Sequence, residues 1–185
     1  MRIIETGLEG CVVIEPRVFE DGRGFFYEAF NLRKLEVHGL RPAFVQGNVS
    51  MSGRGVLRGL HYQWPNPQGK YVSVLEGEVW DVAVDIRRGS PRFGRWTAVL
   101  LSAENRRHFW IPEGFAHGFV VLSERALVSY LCTAPYDPSA DAAIRWNDAT
   151  LAIDWPVAAP VLSAKDAKAP FLDDIPPERL PSYAP

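Results

Sequence analysis

The sequence predicts an all-β protein, an antiparallel sandwich or barrel, on three observations. Short runs rich in valine and aromatic residues recur at near-even spacing, bounded by Gly, Pro, Asp or Asn. The run over residues 78–86 alternates between two faces, as a strand does. Its faces are Val79, Asp81, Ala83, Asp85 and Trp80, Val82, Val84, Ile86. Only one segment has a helical pattern, which favours an all-β class.

The same signals place the individual elements. The predicted strands are residues 11–15, 25–30, 44–50, 56–63, 71–77, 78–86, 96–102, 108–112, 117–122 and 126–132. The predicted helix covers residues 32–38, since Asn31 can cap its start and Gly39 can end it. The tail from Pro156 is rich in Pro and Ala, and we expect it to wrap the surface in short helical turns. With no repeat or linker, residues 1–185 are predicted to be a single domain whose tail is 156–185.

Composition excludes several classes of protein. A chain of 185 residues with 47% hydrophobic residues can bury a sizeable core. The net charge of −2 and the lack of basic runs argue against a nucleic-acid partner. No apolar run is long enough for a membrane span, and the N-terminus lacks the apolar segment of a signal peptide. The two cysteines, Cys11 and Cys132, fit buried free thiols, and we expect a cytoplasmic protein.

Two segments carry polar residues among apolar ones. Residues 55–63 place Arg58 and His61 in a strand, and residues 111–119 form a Pro-Gly loop that leads to His117. A barrel interior is normally apolar, so polar groups aimed into it indicate a ligand site. Strict alternation would separate Arg58 and His61 onto opposite faces. Gly59 permits a β-bulge that turns both to the same side, which we therefore expect.

The pattern around His117 raises the question of a metal. Pro-x-Gly-x-x-His resembles the second motif of the cupin superfamily, in which this histidine is often a metal ligand. The first motif should supply His-x-His and then Glu, but this chain has His61-Tyr62-Gln63. His38 and His108 lack ligand spacing, so no metal is predicted. We interpret His117 as a hydrogen-bond donor to an anionic ligand. No glycine-rich phosphate loop precedes a helix either, and no cofactor is expected.

Each remaining candidate also has an ordinary structural interpretation. His61 fits a core histidine bonded to a backbone carbonyl, and Lys70 a solvated edge lysine. Tyr130 fits a core tyrosine with a bonded hydroxyl. Asp166 fits a cap or turn residue, and Arg23 a surface charge in a turn. Taken one residue at a time, the sequence leaves these alternatives open.

Long ordered segments, taken together, match one family. They are residues 21–30, 44–63, 68–96, 111–123, 130–156 and 162–170. Over nearly its whole length the chain resembles the dTDP-4-dehydrorhamnose 3,5-epimerases of rhamnose biosynthesis. The resemblance implies a cupin-type jelly roll and a homodimer that exchanges N-terminal strands. It also implies that the product supplies rhamnose to lipopolysaccharide O-antigen or another polysaccharide of the cell envelope.

The resemblance also implies roles for four residues. The substrate is a dTDP-linked hexose whose ketone at carbon 4 acidifies the hydrogens on carbons 3 and 5. His61 matches the family's base, and Asp166 matches the carboxylate that orients it. Lys70 matches the cation near the ketone oxygen. Tyr130 matches the donor that protonates the opposite face of the sugar.

A second set of positions matches the family's substrate contacts. They are Arg23, Phe26, Glu28, Gln46, Asn48, Arg58, His117, Phe119, Tyr136, Asp141 and Lys165. Arg58 suits a diphosphate, because a guanidinium can bind two oxygens at once. Phe26 and Phe119 offer apolar walls or stacking surfaces, and Gln46 and Asn48 share one strand face. Asp141 stands where many members have glutamate, so its reach is shorter.

Three other functions remain as alternatives. One is a mono-epimerase of a related 4-keto nucleotide sugar, since the residues do not fix how many carbons are inverted. Another is a metal-dependent cupin oxygenase, which the missing His-x-His and Glu argue against. The third is a non-catalytic nucleotide-sugar binding module, although a binder needs no base and acid pair.

Overall fold

The fold is built from short strands and very little helix. The structure, a computed structural model, describes residues 1–183 of the chain. Its strands are β1 (Arg2–Glu5), β2 (Val12–Glu15), β3 (Val18–Asp21), β4 (Gly24–Tyr27), β5 (Gln46–Gly53), β6 (Leu57–Gln63), β7 (Lys70–Glu76), β8 (Glu78–Asp85), β9 (Trp96–Ser102), β10 (His108–Ile111), β11 (Phe115–Val121), β12 (Arg125–Cys132) and β13 (Asp141–Ala143). The helices are α1 (Leu32–Glu36), α2 (Ala164–Ala167) and the 3₁₀ turns Leu172–Asp174 and Pro177–Arg179.

Two antiparallel sheets face each other. The six-stranded sheet has the order β1-β2-β10-β7-β12-β5, and the five-stranded sheet has the order β13-β6-β11-β8-β9. β3 and β4 form a separate hairpin. The all-β prediction is therefore confirmed, and the architecture is a sandwich rather than a closed barrel.

The alternation of β8 is confirmed, but both of its faces are buried. Val79 and Ala83 enter the core between the sheets, together with residues such as Val72 and Phe109. Val82 and its neighbours on the other face belong to a second core. That second core is closed by residues near the end of the chain, namely Leu151, Trp155, Leu172, Ile175 and Leu180. The segment after residue 156 thus covers the outer face of the five-stranded sheet, by way of one short helix and two 3₁₀ turns.

Several element boundaries differ from the sequence-based prediction. The prediction missed β1, β3 and β13, whose short sequences lack a clear alternating pattern and which form by pairing with a neighbouring strand. The strand predicted over residues 25–30 ends at Tyr27. The predicted helix is confirmed, with the Asn31 side chain accepting from the Lys34 backbone N–H, but it ends at Glu36 and leaves His38 in the following turn. The free, buried thiols of Cys11 and Cys132 are also confirmed.

The predicted β-bulge lies at Gly59. On β11, His117 pairs with His61 and Phe119 pairs with Arg58, so β6 carries one extra residue between these two pairs. Residues paired across a ladder point to the same face, and His117 and Phe119 share one face of β11. Arg58 and His61 therefore both face the other sheet, as the bulge interpretation requires.

Gly59 is a position at which no side chain fits. Its φ is +133°, and a Cβ there would lie 2.5 Å from Gly118 Cα and 2.9 Å from the His117 carbonyl oxygen. We expect Gly59→Ala to lower the free energy of unfolding by roughly 3 kcal/mol or more, through backbone strain and overpacking. Urea unfolding measures this change. Gly22→Ala is the matched control, because a Cβ at Gly22 has nothing within 4 Å. Equal stability of the two variants would contradict the proposed crowding.

Candidate active site

A polar cleft of about 380 Å³ lies between the two sheets. The six-stranded sheet contributes Gln46, Asn48, Lys70 and Tyr130, and the five-stranded sheet contributes His61, Tyr62 and Gln63. The rest of the lining is Gln68, Tyr136, Asp141 and Lys165. The neighbouring positions on the same inner faces are apolar core residues. The cleft is therefore a place where the sandwich interior changes from packed apolar side chains to polar ones, as a ligand site requires.

His61 and Asp166 form a hydrogen-bonded pair across 105 residues of sequence. His61 Nε2 lies 2.6 Å from Asp166 Oδ1. Asp166 is only 3% exposed, on α2, where Ser163 caps the helix by accepting from the Asp166 backbone N–H. With Nε2–H donating to the carboxylate, the Nδ1 lone pair of His61 is free to accept a proton.

The carboxyl of Asp166 is held in its charged form. Burial alone would raise its pKa. The hydrogen bond and charge of His61 lower it, as do smaller contributions from Ser163 and the Gly59 backbone, and together these outweigh burial. The net result is a pKa below the ordinary value of an aspartate. A permanently ionised partner fixes the imidazole tautomer and stabilises the imidazolium that forms when His61 takes a proton.

Lys70 and Tyr130 lie on the opposite wall from His61. Lys70 is the first residue of β7 and is 7% exposed. Burial lowers the pKa of its ammonium group, while the nearby Cys132, Asp81 and Asp141 act to raise it. In the described part of the chain, no carboxylate lies within 4 Å of its ammonium group, which leaves that group available to a ligand oxygen. Burial raises the pKa of Tyr130, so its phenol stays protonated at neutral pH and can donate a proton.

Asp81 is a buried carboxylate next to Lys70 and His117 that the sequence did not single out. It is fully buried on β8, and its carboxylate lies 2.9 and 3.0 Å from His117 Nε2. Burial raises the pKa of Asp81, although the charges of His117 and Lys70 act against this. The available signal was an aspartate on the inward face of a central apolar strand, where a carboxylate needs a partner.

This contact changes the interpretation of His117. The sequence analysis assigned it as a donor to an anionic ligand, but Nε2 is already committed to Asp81. A histidine that donates from Nε2 can also donate from Nδ1 only as the imidazolium. A ligand contact by His117 must therefore use the ring nitrogen that is not bonded to Asp81.

The predicted binding residues at the rim of the cleft are linked to one another. Gln46 Nε2 donates to Asn48 Oδ1 over 3.0 Å, which confirms that these two side chains share one strand face. The Tyr136 backbone N–H donates to Gln46 Oε1 over 2.8 Å. Asp141 accepts from the Tyr136 hydroxyl at 3.0 Å and forms an ion pair with Lys165. Asp141 thus reaches both partners despite being shorter than glutamate.

Arg58 and Phe119 lie beside the cleft. Arg58 is exposed and donates from Nε to Ser52 Oγ over 3.0 Å, while His61, Asp166 and Lys165 line the same neighbouring depression. Phe119 is 3% exposed and belongs to the core between the sheets. Its burial leaves little ring surface for stacking, and its predicted role as an apolar wall or stacking surface stays a prediction.

The hairpin residues are not brought into the cleft. Arg23 pairs with Asp21 at the hairpin turn, and Glu28 contacts Asn31 and Lys34. Phe26 is 67% exposed and, with Glu28, lines a separate cavity of about 300 Å³. Within one chain, then, Arg23, Phe26 and Glu28 form no part of the His61 cleft.

The described residues contain neither a candidate metal cluster nor a helix suited to span a membrane. Among residues 1–183, no cluster of three or more His, Cys, Asp or Glu side chains has the geometry to hold a metal ion. Within the same range, no helix is both long and apolar enough to cross a membrane.

The chain is similar to known epimerases over most of its length. A family model described as dTDP-4-dehydrorhamnose 3,5-epimerase matches residues 5–174. The chain belongs to the dTDP-4-dehydrorhamnose 3,5-epimerase family. The epimerase of this name from Salmonella typhimurium is 53% identical over 176 residues, which cover 94% of this chain and 96% of that protein.

Solved structures agree with this family assignment. The dTDP-6-deoxy-D-glucose-3,5-epimerase from Legionella pneumophila, in complex with dTDP-4-keto-L-rhamnose, has a TM-score of 0.96 and 54% identity over 100% of this chain and 99% of that one. A 3′-monoepimerase from Streptomyces bikiniensis, in complex with dTDP-quinovose, has a TM-score of 0.89 and 36% identity over 96% of this chain and 92% of that one. The epimerase fold is thus confirmed as the predicted cupin-type jelly roll.

Asp81 and Asp85 can be compared through the effect that substituting each of them has on folding stability. Both are fully buried on β8 of this family member. Burial raises the pKa of Asp81 above its value in the unfolded chain. Between these two pKa values the unfolded chain loses the Asp81 proton more readily, so the free energy of unfolding falls as pH rises. Burial also acts to raise the pKa of Asp85, but Arg87 and Ser90 outweigh burial and lower it. Ionised Asp85 therefore adds stability above its unfolded pKa and loses it as pH falls.

We expect opposite responses to the same substitution. Asp81→Asn should leave the melting temperature unchanged or raise it at pH 7, and the difference from wild type should shrink toward pH 4. Asp85→Asn should lower the melting temperature at pH 7, by about 2–4 °C for each kcal/mol lost. Thermal melts from pH 4 to 8 measure both. A large destabilisation by Asp81→Asn at pH 7 would show that the Asp81–His117 pair supports the fold.

Proposed function

We propose that this chain inverts carbons 3 and 5 of dTDP-4-dehydro-6-deoxy-D-glucose, giving dTDP-4-dehydro-L-rhamnose. It is then an isomerase of dTDP-L-rhamnose biosynthesis. The family assignment supports this activity. The observation that carries it is the placement of the His61–Asp166 pair on one wall of the cleft and Tyr130 on the other. Inversion at a carbon requires a base on one face of the sugar and an acid on the opposite face.

The first chemical step is removal of a proton beside the ketone. His61 Nδ1 takes the hydrogen from carbon 3 or carbon 5, and Asp166 stabilises the resulting imidazolium. The electrons of the broken C–H bond move to the ketone oxygen, giving an enolate. Lys70 donates to that oxygen, a kind of contact that is typically worth about 3–4 kcal/mol.

The second step is protonation from the other side. The Tyr130 hydroxyl gives its proton to the carbon that His61 deprotonated, and the electrons return from the enolate oxygen to re-form the ketone. The tyrosinate regains a proton from solvent, and the imidazolium releases one. The same cycle at the second carbon completes the reaction, because both carbons flank the same ketone.

The remaining predicted residues provide the nucleotide contacts in this proposal. Arg58 and Lys165 line the depression beside His61 and suit the diphosphate. Gln46, Asn48 and Tyr136 offer polar contacts along one rim of the cleft. His117 is assigned to the ligand from the interior, through the ring nitrogen that is not bonded to Asp81.

The alternative functions require different residues in the cleft. The Streptomyces bikiniensis 3′-monoepimerase has the same fold, so a mono-epimerase needs no different architecture. A cupin oxygenase needs His-x-His and a glutamate, and Tyr62 and Gln63 do not supply that set. A binding module has no use for an ionised aspartate that orients a histidine opposite a tyrosine. We therefore favour the 3,5-epimerase.

We also propose a homodimer in which the β3–β4 hairpin crosses to the partner. The hairpin has exposed aromatic rings at Phe19, Phe25 and Phe26 and belongs to neither main sheet. β5 is the edge strand of the six-stranded sheet and carries cleft residues on its inner face. An exchanged hairpin would cover exposed aromatic surface and protect sheet edges. A cytoplasmic location follows from a nucleotide-sugar substrate and two free thiols.

Deuterium uptake tests the number of carbons inverted. In deuterated water, one base that serves both carbons should place solvent deuterium at carbon 3 and at carbon 5, and mass spectrometry of the product should show both. Label at a single carbon would identify a mono-epimerase. Absence of any exchange would leave only a binding function.

Two variants separate the base from the acid. His61→Ala should abolish exchange at both carbons, while Tyr130→Phe should reduce epimerisation more than exchange, since the enolate still forms. General acid–base groups typically contribute about 10²–10⁴-fold each. The measurement is the exchange rate beside the rate of product formation. An unchanged epimerisation rate in Tyr130→Phe would remove the acid assignment.

A mixed dimer tests the exchanged hairpin. His61→Ala and Arg23→Ala subunits with different tags are co-expressed, and the heterodimer is purified. If Arg23 serves the neighbouring cleft, one site carries both substitutions and the other carries neither, so about half the wild-type activity returns. If Arg23 acts within its own subunit, each site carries one lesion. A heterodimer no more active than its parents would therefore overturn the exchange.

A further inference from the structure

The carboxylate that orients His61 belongs to an unusually short helix. Asp166 belongs to α2, a helix of four residues that is capped by Ser163. A helix of this length has almost no stability of its own, because the free-energy cost of forming the first turn is offset only by further turns. The position of Asp166 must therefore be set by what holds the chain on either side of α2.

The N-terminal side is held by backbone pairing next to the His61 strand. Val161 bridges in parallel to Val56, with its N–H donating to the Gly55 carbonyl over 2.8 Å and its carbonyl accepting from Leu57 over 3.0 Å. Within α2, Lys165 forms an ion pair with Asp141, but its side chain is half exposed and such pairs contribute little. Neither contact restrains the chain beyond the C-terminal end of α2.

The C-terminal side is held by one arginine. The Arg145 backbone N–H donates to the Pro170 carbonyl over 2.8 Å, and Arg145 Nε donates to the Ala169 carbonyl over 2.8 Å. The guanidinium also lies 4.5 Å from the ring centre of Phe171. Three consecutive residues that follow α2 are thus fixed by a single side chain and its own backbone.

Arg145 is in turn tied directly to the strand that carries His61. The preceding residue, Ile144, exchanges backbone hydrogen bonds of 2.9 and 3.1 Å with Leu60, and Ala143 pairs with His61 itself. A closed ring of contacts therefore runs from His61 through the β13 segment and Arg145 to Ala169, back along α2 to Asp166, and again to His61.

We propose that Arg145 is a positioning residue for the catalytic pair, fixing α2 so that Asp166 stays within hydrogen-bond distance of His61. This assignment rests on the proposed epimerase function. Arg145 lines neither the cleft nor the depression beside it, so it acts only through Asp166. The His61–Asp166 separation of 2.6 Å leaves less than about 1 Å before the hydrogen bond is lost.

A second anchor keeps the tail in place when Arg145 is truncated. Asp148 is buried and its Oδ2 accepts from the Leu172 backbone N–H over 2.6 Å. Leu172 itself is buried in the outer core. Arg145→Ala should therefore fold, with a local loosening of residues 164–170 rather than release of the tail.

The test compares Arg145→Ala with a matched control on the same tail. Arg88 contacts the distal tail in the same manner, its backbone N–H donating to the Pro181 carbonyl over 2.8 Å and Nη2 to Ser182 Oγ over 3.0 Å. We expect Arg145→Ala to lower the deuterium-exchange rate about 10–100-fold, with KM nearly unchanged, because displacement of a catalytic group by about 1 Å has this effect. Arg88→Ala should keep the wild-type rate.

A double-substitution cycle with Asp166→Asn separates positioning from general destabilisation. If Arg145 acts through Asp166, adding Arg145→Ala to Asp166→Asn should change the remaining exchange rate less than about twofold. A full additional loss would overturn the proposal, as would a wild-type rate in Arg145→Ala alone.

Proton NMR of the His61 ring gives a readout that does not depend on turnover. The Nε2–H resonance bonded to Asp166 should be displaced downfield in wild type and Arg88→Ala and lost from that position in Arg145→Ala. If the resonance is retained in Arg145→Ala, the positioning role fails. If wild type shows the resonance but no deuterium exchange into the substrate, the proposed function is wrong instead. The two outcomes are therefore distinguishable.

Discussion

The close approach of β6 and β11 at Gly59 is the constraint on which the cleft depends. Gly59 faces Gly118 so closely that neither position has room for a side chain. The extra residue in β6 turns Arg58 and His61 to the same inner face, where ordinary alternation would separate them. One backbone irregularity thus sets the direction of both His61 and the neighbouring cation Arg58.

The charges inside the sandwich fall into two kinds. Asp85 is fully paired by Arg87 and Ser90, and its environment favours the ionised form. For Asp81 and Lys70, by contrast, burial opposes the charged form and is the largest influence on the pKa of each. A fold selected only for stability would replace such groups with apolar residues. Buried groups of this kind beside a polar cleft are typical of functional sites, where they are retained at some cost to stability.

Sequence reasoning reached the features that depend on local pattern. The alternation of β8, the Asn31 cap and the bulge at Gly59 each follow from residue types a few positions apart. It did not reach β13 or the Asp81–His117 contact, which are set by residues far apart in the chain. The packing of Phe119 in the core was not predicted for a related reason, since periodicity identifies a face of a strand but not what packs against it.

The family resemblance supplied what pattern could not, namely that Asp166 partners His61 across 105 residues. The structure adds how the distance between them is maintained. His61 and Tyr130 belong to different sheets and are held by strand pairing, whereas Asp166 lies on a short helix in the tail. In the proposed mechanism the base and the acid lie on opposite walls, so the sugar has to shift for carbons 3 and 5 to reach His61 in turn. The proposed contact between Lys70 and the ketone oxygen would be the pivot, because that oxygen carries the developing charge in each step. The number of carbons inverted is then governed by how freely the sugar turns in the cleft, and not by an additional catalytic group.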